Sequence, residues 1–318
     1  MKNIIITTAA AMLVTLVIAT VCYENANDGI EALNQKETAQ KQALKESEQR
    51  MKEQEKRLQP IHPNENNKKI GYSLQNDKLQ ITFDKGKKWG AAPIEREDLF
   101  AGEYNGDKQE LIPQSFVLTE KLAAFLYGTG ENGAVQQIML TLSTDKGKTW
   151  HDSVITEKIQ GVRFRKVAFL DEKFGYVIIS GDRTMSQEYS TAFVTQDGGK
   201  NWKHINNPNV TRLISDGGFI DEKTGFMSYG TINPEAPDLY VTQDGGETWQ
   251  PSKVEIPEKY DKIFVTAEVP VKKEKYLAMD VNQGPNGDYL GGEVKGRFIS
   301  ADNGKTWQFE KEVQPDEI

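Results

Sequence analysis

One octet recurs five times in this chain, and it restricts the fold more than any other feature. Its pattern is Ser/Thr-x-Asp-x-Gly-x-x-Trp. The copies are carried by Asp84, Gly86 and Trp89; by Asp145, Gly147 and Trp150; by Asp197, Gly199 and Trp202; by Asp244, Gly246 and Trp249; and by Asp302, Gly304 and Trp307. All five tryptophans of the chain belong to it, one per copy. Successive tryptophans lie 61, 52, 47 and 58 residues apart. Such a spacing suits a four-stranded unit repeated about an axis.

A second element repeats upstream of the octet. Phe169, Asp171, Glu172, Lys173 and Gly175 match Phe219, Asp221, Glu222, Lys223 and Gly225, and a degenerate copy runs from Phe116 to Phe125. Each reads as strand, turn, strand, with Gly at the re-entry. A Gly/Asn/Pro loop, a third strand, the octet and a fourth strand follow. In the octet, the Asp carboxylate accepts bonds from nearby backbone N–H groups, and Gly supplies a left-handed backbone. The Trp ring buries against a neighbouring unit. These fifteen box residues therefore read as structural. The expected fold is an all-β five-bladed propeller of four-stranded antiparallel blades over residues 64–318. Closure is expected, because a ring left open would expose strand edges. Either residues 60–68 supply the strand that the first blade lacks, or the two ends pair unconventionally to close the ring.

The remaining 63 residues divide in two. Residues 4–22 are an uncharged, mostly apolar run between Lys2 and Glu24, long enough as a helix to span a bilayer. The charge asymmetry places the bulk of the chain outside the cytoplasm. Segment 1–23 is thus expected to be a signal-anchor. The alternatives are a lipoprotein acylated at Cys22 or a cleaved, secreted form. Segment 24–63 is rich in Gln, Glu, Lys and Ala and is expected to be a helical stalk. Ile30, Leu33, Leu44, Met51 and Leu58 share a heptad frame with Glu37, Gln40, Ser47 and Gln54. That half-polar seam suits a spacer, or at most a weak dimer. Pro60 and Pro63 end it.

Composition removes several functions. With 39 Lys+Arg against 47 Asp+Glu the net charge is −8, and no basic block exists to hold nucleic acid. One cysteine excludes an intrachain disulfide or a CxxC site, and His62, His151 and His204 are in no ligand-spaced motif. Neither a metal nor a cofactor is expected.

The octet resembles the Asp-box, or bacterial neuraminidase repeat, and the resemblance covers residues 70–318. Propellers of this family include sialidases, the luminal domain of sortilins, photosystem II assembly factors and several carbohydrate-active enzymes. The resemblance implies that Asp84, Asp145, Asp197, Asp244 and Asp302 lie at the turn between the third and fourth strands of a blade. That turn is peripheral, on the face away from the usual ligand site. Sialidases also carry three Arg around a carboxylate, a Tyr–Glu nucleophile pair, an Asp acid and a Phe/Tyr-Arg-Ile/Leu-Pro motif. The stretch before Asp84 has no Arg, and Phe164-Arg165-Lys166-Val167 lacks the Pro. Arg163, Arg165 and Arg212 lie at or near first strands, where they could form an anion clamp.

Loops after the second strand must emerge opposite the boxes. These are segments 128–135, 181–188, 230–238 and 280–292. They vary where the boxes do not, and they are the expected recognition face. The candidate binding residues there are Glu131, Asn132, Asp182, Arg183, Asn233, Glu235, Asn282, Gln283, Asn286, Asp288 and Tyr289. The expected function is a membrane-tethered extracytoplasmic module that binds a protein or glycan without catalysis. The alternative is a sialidase-like carbohydrate-active hydrolase.

Overall fold

The structure is a computed structural model that describes Lys45 and residues 62–64, 67–130, 135, 137–157 and 159–315. A compact unit spans residues 61–318. Among the described residues no helix is long and apolar enough to cross a membrane. The expected anchor, 1–23, lies outside them, as does the expected stalk, 24–63, apart from Lys45 and residues 62–63.

The described chain is all-β and forms five sheets. The first comprises β1 (His62–Asn64), β2 (Asn67–Ser73), β3 (Lys78–Thr82) and β4 (Gly90–Glu95), so the segment before Lys69 does supply an extra strand. A short helix α1 (Arg96–Leu99) follows. The second sheet is β5 (Phe116–Leu118), β6 (Ala123–Thr129), β7 (Gln137–Ser143) and β8 (His151–Thr156). The third is β9 (Phe164–Phe169), β10 (Gly175–Thr184), β11 (Gln187–Thr195) and β12 (Lys203–Ile205). The fourth is β13 (Ile214–Phe219), β14 (Gly225–Tyr229), β15 (Asp238–Thr242) and β16 (Gln250–Pro251). Each of these four is an antiparallel meander in chain order.

The fifth sheet departs from that plan. It holds β17 (Lys253–Glu255), β18 (Thr266–Ala267), β19 (Val271–Lys272), β20 (Leu277–Asn282), β21 (Lys295–Ser300) and β22 (Thr306–Val313). β17 leaves the fourth sheet and adds to the outer edge of the fifth, parallel to β22. This tie between neighbouring sheets has no counterpart in the octet arithmetic.

Period-2 alternation explains the core. In the second sheet Phe125 and Tyr127 turn to one side and pack with Tyr72, Ile81 and Ile94 of the first sheet. Ala124, Leu126 and Leu140 turn to the other and pack with Val167, Val177 and Phe193 of the third. The third and fourth sheets meet through Tyr176, Ile178, Met227 and Tyr229. The fourth and fifth meet through Phe226, Val241, Met279 and Phe298.

One loop expectation needs correcting. Segment 181–188 is mostly strand: β10 and β11 stay paired out to Thr184 and Gln187 across a bulge at Asp182, whose φ is +53°.

Candidate functional site

The two ends of the sheets are chemically different, and the boxes define one of them. In the third box Thr195 Oγ1 donates to Asp197 Oδ1 at 2.8 Å and accepts from Gly199 N at 3.0 Å. Asp197 Oδ1 accepts from Asn201 N at 2.9 Å, and Oδ2 from Asn201 Nδ2 at 2.7 Å. The same wiring recurs at Asp145, Asp244 and Asp302 through Thr149, Thr248 and Thr306. Asp84 keeps the backbone half of it, accepting from Lys88 N at 2.8 Å. These donors, led by the Asn201 and Thr248 side chains, hold the Asp197 and Asp244 carboxyls down at about 2. The carboxylates are consumed by the turn.

Sequence reasoning missed what the box glycines touch. A Cβ on Gly199 would stand 2.6 Å from Leu142 Cδ2, and one on Gly246 would stand 2.4 Å from Ile205 Cδ1. Both targets belong to the preceding sheet. Gly147 and Gly304 approach Ile81 and Phe226 in the same way. Hydrogen bonds reinforce these seats: Ser153 Oγ donates to Gly199 O at 2.6 Å, and Ser252 Oγ to Gly304 O. The variable length between boxes concealed this relation. The tryptophans follow it unequally. Trp307 is 0% exposed and donates to Ser252 Oγ at 2.9 Å. Trp150, Trp202 and Trp249 are half-buried against successive seams. Trp89 is half-buried and joins none of the four clusters among the described residues.

At the opposite end, two loops of adjacent sheets meet around a cleft of about 290 Å³. The 230–238 loop contributes Asn233, Pro234 and Glu235, and the segment after β20 contributes Gln283 and residues 285–289. Lys262 and Ile263 complete the wall. Asn286 Nδ2 donates to Asn233 Oδ1 at 3.2 Å across the two loops. Thus six of the candidate residues, Asn233, Glu235, Gln283, Asn286, Asp288 and Tyr289, share one cavity.

Tyr289 is also the root of its loop. Its ring packs on Tyr260 and Phe264 at centroid distances of 6.1 and 6.3 Å, and its hydroxyl donates to Glu312 at 3.0 Å. The Tyr260 and Tyr289 hydroxyls hold the Glu312 carboxyl below its ordinary range. Gln283 is 5% exposed; its Nε2 donates to Tyr289 O at 2.9 Å and Val294 O at 2.8 Å. Asn282 lies beside the cleft, donating to Glu268 at 2.9 Å.

The other candidates are elsewhere. Asp182 exchanges bonds with the Gln160 backbone, and Arg183 donates to Met185 O at 3.0 Å and approaches Glu103 at 3.6 Å. Glu131 and Asn132 lie outside the described residues. Each arginine of the anticipated clamp has an internal partner. Arg163 is held bidentately by the buried Glu188 at 2.7 and 2.6 Å. Arg212 pairs with Asp238 at 2.5 Å. Arg165 is buried and donates to the carbonyls of Leu99 and Ala101, and burial pulls its pKa down to about 10. Among the described residues no group of three or more His, Cys, Asp or Glu could hold a metal ion.

The model of the BNR/Asp-box repeat matches residues 240–251 and 298–309, around the fourth and fifth boxes. No curated protein matches the chain in sequence. Solved structures similar to it include a GH74 xyloglucanase from Xanthomonas campestris, at 14% identity and TM-score 0.39, over 76% of this chain and 36% of that one. This chain therefore spans about a third of the xyloglucanase's length. YCF48 from Cyanidioschyzon merolae is similar at 15% identity and TM-score 0.41, over 76% of this chain and 69% of that one. A Hadza microbial sialidase is similar at 16% identity and TM-score 0.39, over 75% and 54%. The family match falls on the very octets whose wiring is described above: the chain carries BNR/Asp-box repeats on an all-β fold of mainly antiparallel sheets.

Proposed function

We propose that the five sheets are five blades of a closed propeller, that the N-terminal segment tethers it outside the cytoplasm, and that it binds a protein partner through the loop face opposite the boxes. The observation that carries the binding reading is the gathering of six candidate residues from two loops around one cleft. Closure draws support from the outer faces of the first and last sheets. Ser73 and Ala278 alternate with residues committed to the apolar seams, so they point away from them. Yet they are only 0% and 3% exposed. In a closed ring each would cover the other's sheet.

A binder without chemistry accounts for the arginines better than a sialidase-like hydrolase does, since Arg163, Arg165 and Arg212 are spent on internal acceptors. The full-length chain is expected to turn over neither a fluorogenic sialoside nor common aryl glycosides. Turnover abolished by Arg163→Ala or Arg212→Ala would overturn this reading. For binding, the test replaces only the exposed tip, residues 285–288, with Gly-Ser-Gly-Ser and measures partner capture in a cell-surface pull-down. Capture is expected to weaken. Unchanged capture would move the site off this face.

A further inference from the structure

We infer that the cleft between the 230–238 loop and the segment after β20 receives a cationic side chain, a lysine or an arginine, from an exposed loop of the partner protein. This rests on the binding reading above and names the chemistry of the same site.

Donors and acceptors in the cleft are not balanced. Both N–H groups of the Gln283 amide are committed to the Tyr289 and Val294 carbonyls, and its Oε1, buried in the cleft wall behind Gly287, has no partner. The Asp288 carboxylate makes no hydrogen bond or ion pair among the described residues. Glu235 has only Lys262, 3.7 Å away, with both side chains well exposed. Against these stand the Lys262 ammonium and the remaining amide N–H groups of Asn233 and Asn286, so the excess is one of charge, two carboxylates to one ammonium. An ammonium or guanidinium offers several N–H donors and no acceptor, and so complements that set. A sugar hydroxyl brings a lone pair with every donor, and a carboxylate brings no donor.

The remaining walls suit the stem of such a side chain. Pro234, Ile263 and Pro285 line the cleft with apolar surface, and the Tyr289 ring stands beside them. Long basic side chains lay their methylenes on such surface, and a cation is attracted to an aromatic face. The two loops also present exposed aliphatics, Ile232 at 51% and Leu290 at 65%. Leu290 is held at φ +48°, a conformation that costs a leucine energy and keeps its side chain outward. Exposed aliphatics flanking a polar cleft favour a polypeptide over a free amine. The net charge of −8 draws a basic partner from a distance.

The test uses the full-length chain in mild detergent and fluorescein-labelled Gly-Ser-Lys-Leu-Ser-Gly, read by anisotropy. Controls carry arginine, norleucine or glutamate in place of the lysine. The lysine and arginine peptides are expected to bind at least about tenfold tighter than the norleucine peptide, and added salt is expected to narrow the gap. Asp288→Asn combined with Glu235→Gln is expected to remove that preference. Lys262→Gln is expected to tighten lysine binding, because it frees Glu235. Norleucine binding as well as lysine, loss of binding in Lys262→Gln, or no response to any peptide would each overturn the inference. If the peptides fail while the 285–288 replacement still cuts capture, the cation falls and the binding face stands. If that replacement leaves capture intact, the face itself falls.

Discussion

β15 runs between two turns that solve opposite problems. At its C-terminal end, the fourth box ties Thr242, Asp244, Gly246 and Thr248 to one another by hydrogen bonds of 2.5–2.9 Å, all within a few residues of sequence. At its N-terminal end, the 230–238 loop is fixed by longer-range contacts. These include Gly230 N donating to Leu213 O at 2.9 Å, the Arg212–Asp238 pair, the Asn286–Asn233 bond across to the next loop, and the open Glu235–Lys262 pair. A turn that satisfies its own polar groups needs the same residues every time it is built. A loop held at its roots leaves its tip free to change, and the tip is where a partner can be read.

The largest expected effect comes from breaking the box end where it is most buried. Trp307→Ala should cost about 3–5 kcal/mol in urea unfolding of the full-length chain, the usual range for removing a fully buried large aromatic. Trp249→Ala, at a half-buried ring, should cost clearly less; equal losses would mean that burial does not rank the boxes. Next is Gly246→Ala. The new Cβ meets Ile205 at 2.4 Å with φ at +90°, so left-handed strain and overpacking together should cost about 2–4 kcal/mol. A neutral result would show that the fourth sheet can shift on the third.

Smaller again is Asp197→Ala, which should lower the melting temperature by less than either while leaving capture by the surviving folded protein intact. Acid sharpens this point. The folded carboxyls of Asp197 and Asp244 titrate near 2, below the ordinary unfolded value of about 3.9. Their contribution is therefore present above pH ~4 and is lost as the pH falls toward 2. Asp244→Asn should flatten that limb of the stability curve, and an unchanged limb would mean that other carboxylates set it. The smallest effect belongs to the opposite end. Replacing 285–288 should shift stability by no more than about 0.5 kcal/mol, because it spares Gln283 and Tyr289. A larger loss would erase the distinction between the ends.

The boxes were legible because turn chemistry is local: Asp accepts, Gly bends, and both constraints are written within eight residues. Their wiring was readable in outline, except that the residue after each Asp is also left-handed, with Lys85 and Lys146 at φ +64°. What Gly199 and Gly246 touch was not legible, because Leu142 and Ile205 belong to other repeats. The strand β17 escaped for a similar reason. Only three residues long, it has too little alternation to announce itself and gets its place from β22. At the cleft, sequence supplied the residues without their neighbours. Tyr289 was expected among the binding residues; it stands in the cleft wall and also anchors its own loop on Tyr260 and Glu312. The extension of β10 and β11 was hidden because Gly181 and Asp182 read as turn residues, whereas they form a bulge inside a continuing hairpin.

The bonds that seat the third, fourth and fifth boxes all point backward along the chain. Ser153 reaches Gly199, Asn206 reaches Glu247, and Ser252 reaches Gly304 and Trp307, over separations of 41–55 residues. A chain made from its N-terminus therefore finishes each seat before the box that occupies it emerges. Its ordering cost is met one repeat at a time, as in a stacked array. None of these seats waits for the two ends to meet. The fifth box has the deepest seat, with Trp307 fully buried. Until Gly304 and Trp307 emerge, Ser252 lacks its partners and Phe226 lacks the Trp307 ring, with Met279 and Phe298 beside it. Vectorial assembly thus leaves its longest exposure at the box end of the fourth sheet, away from the loops that form the cleft.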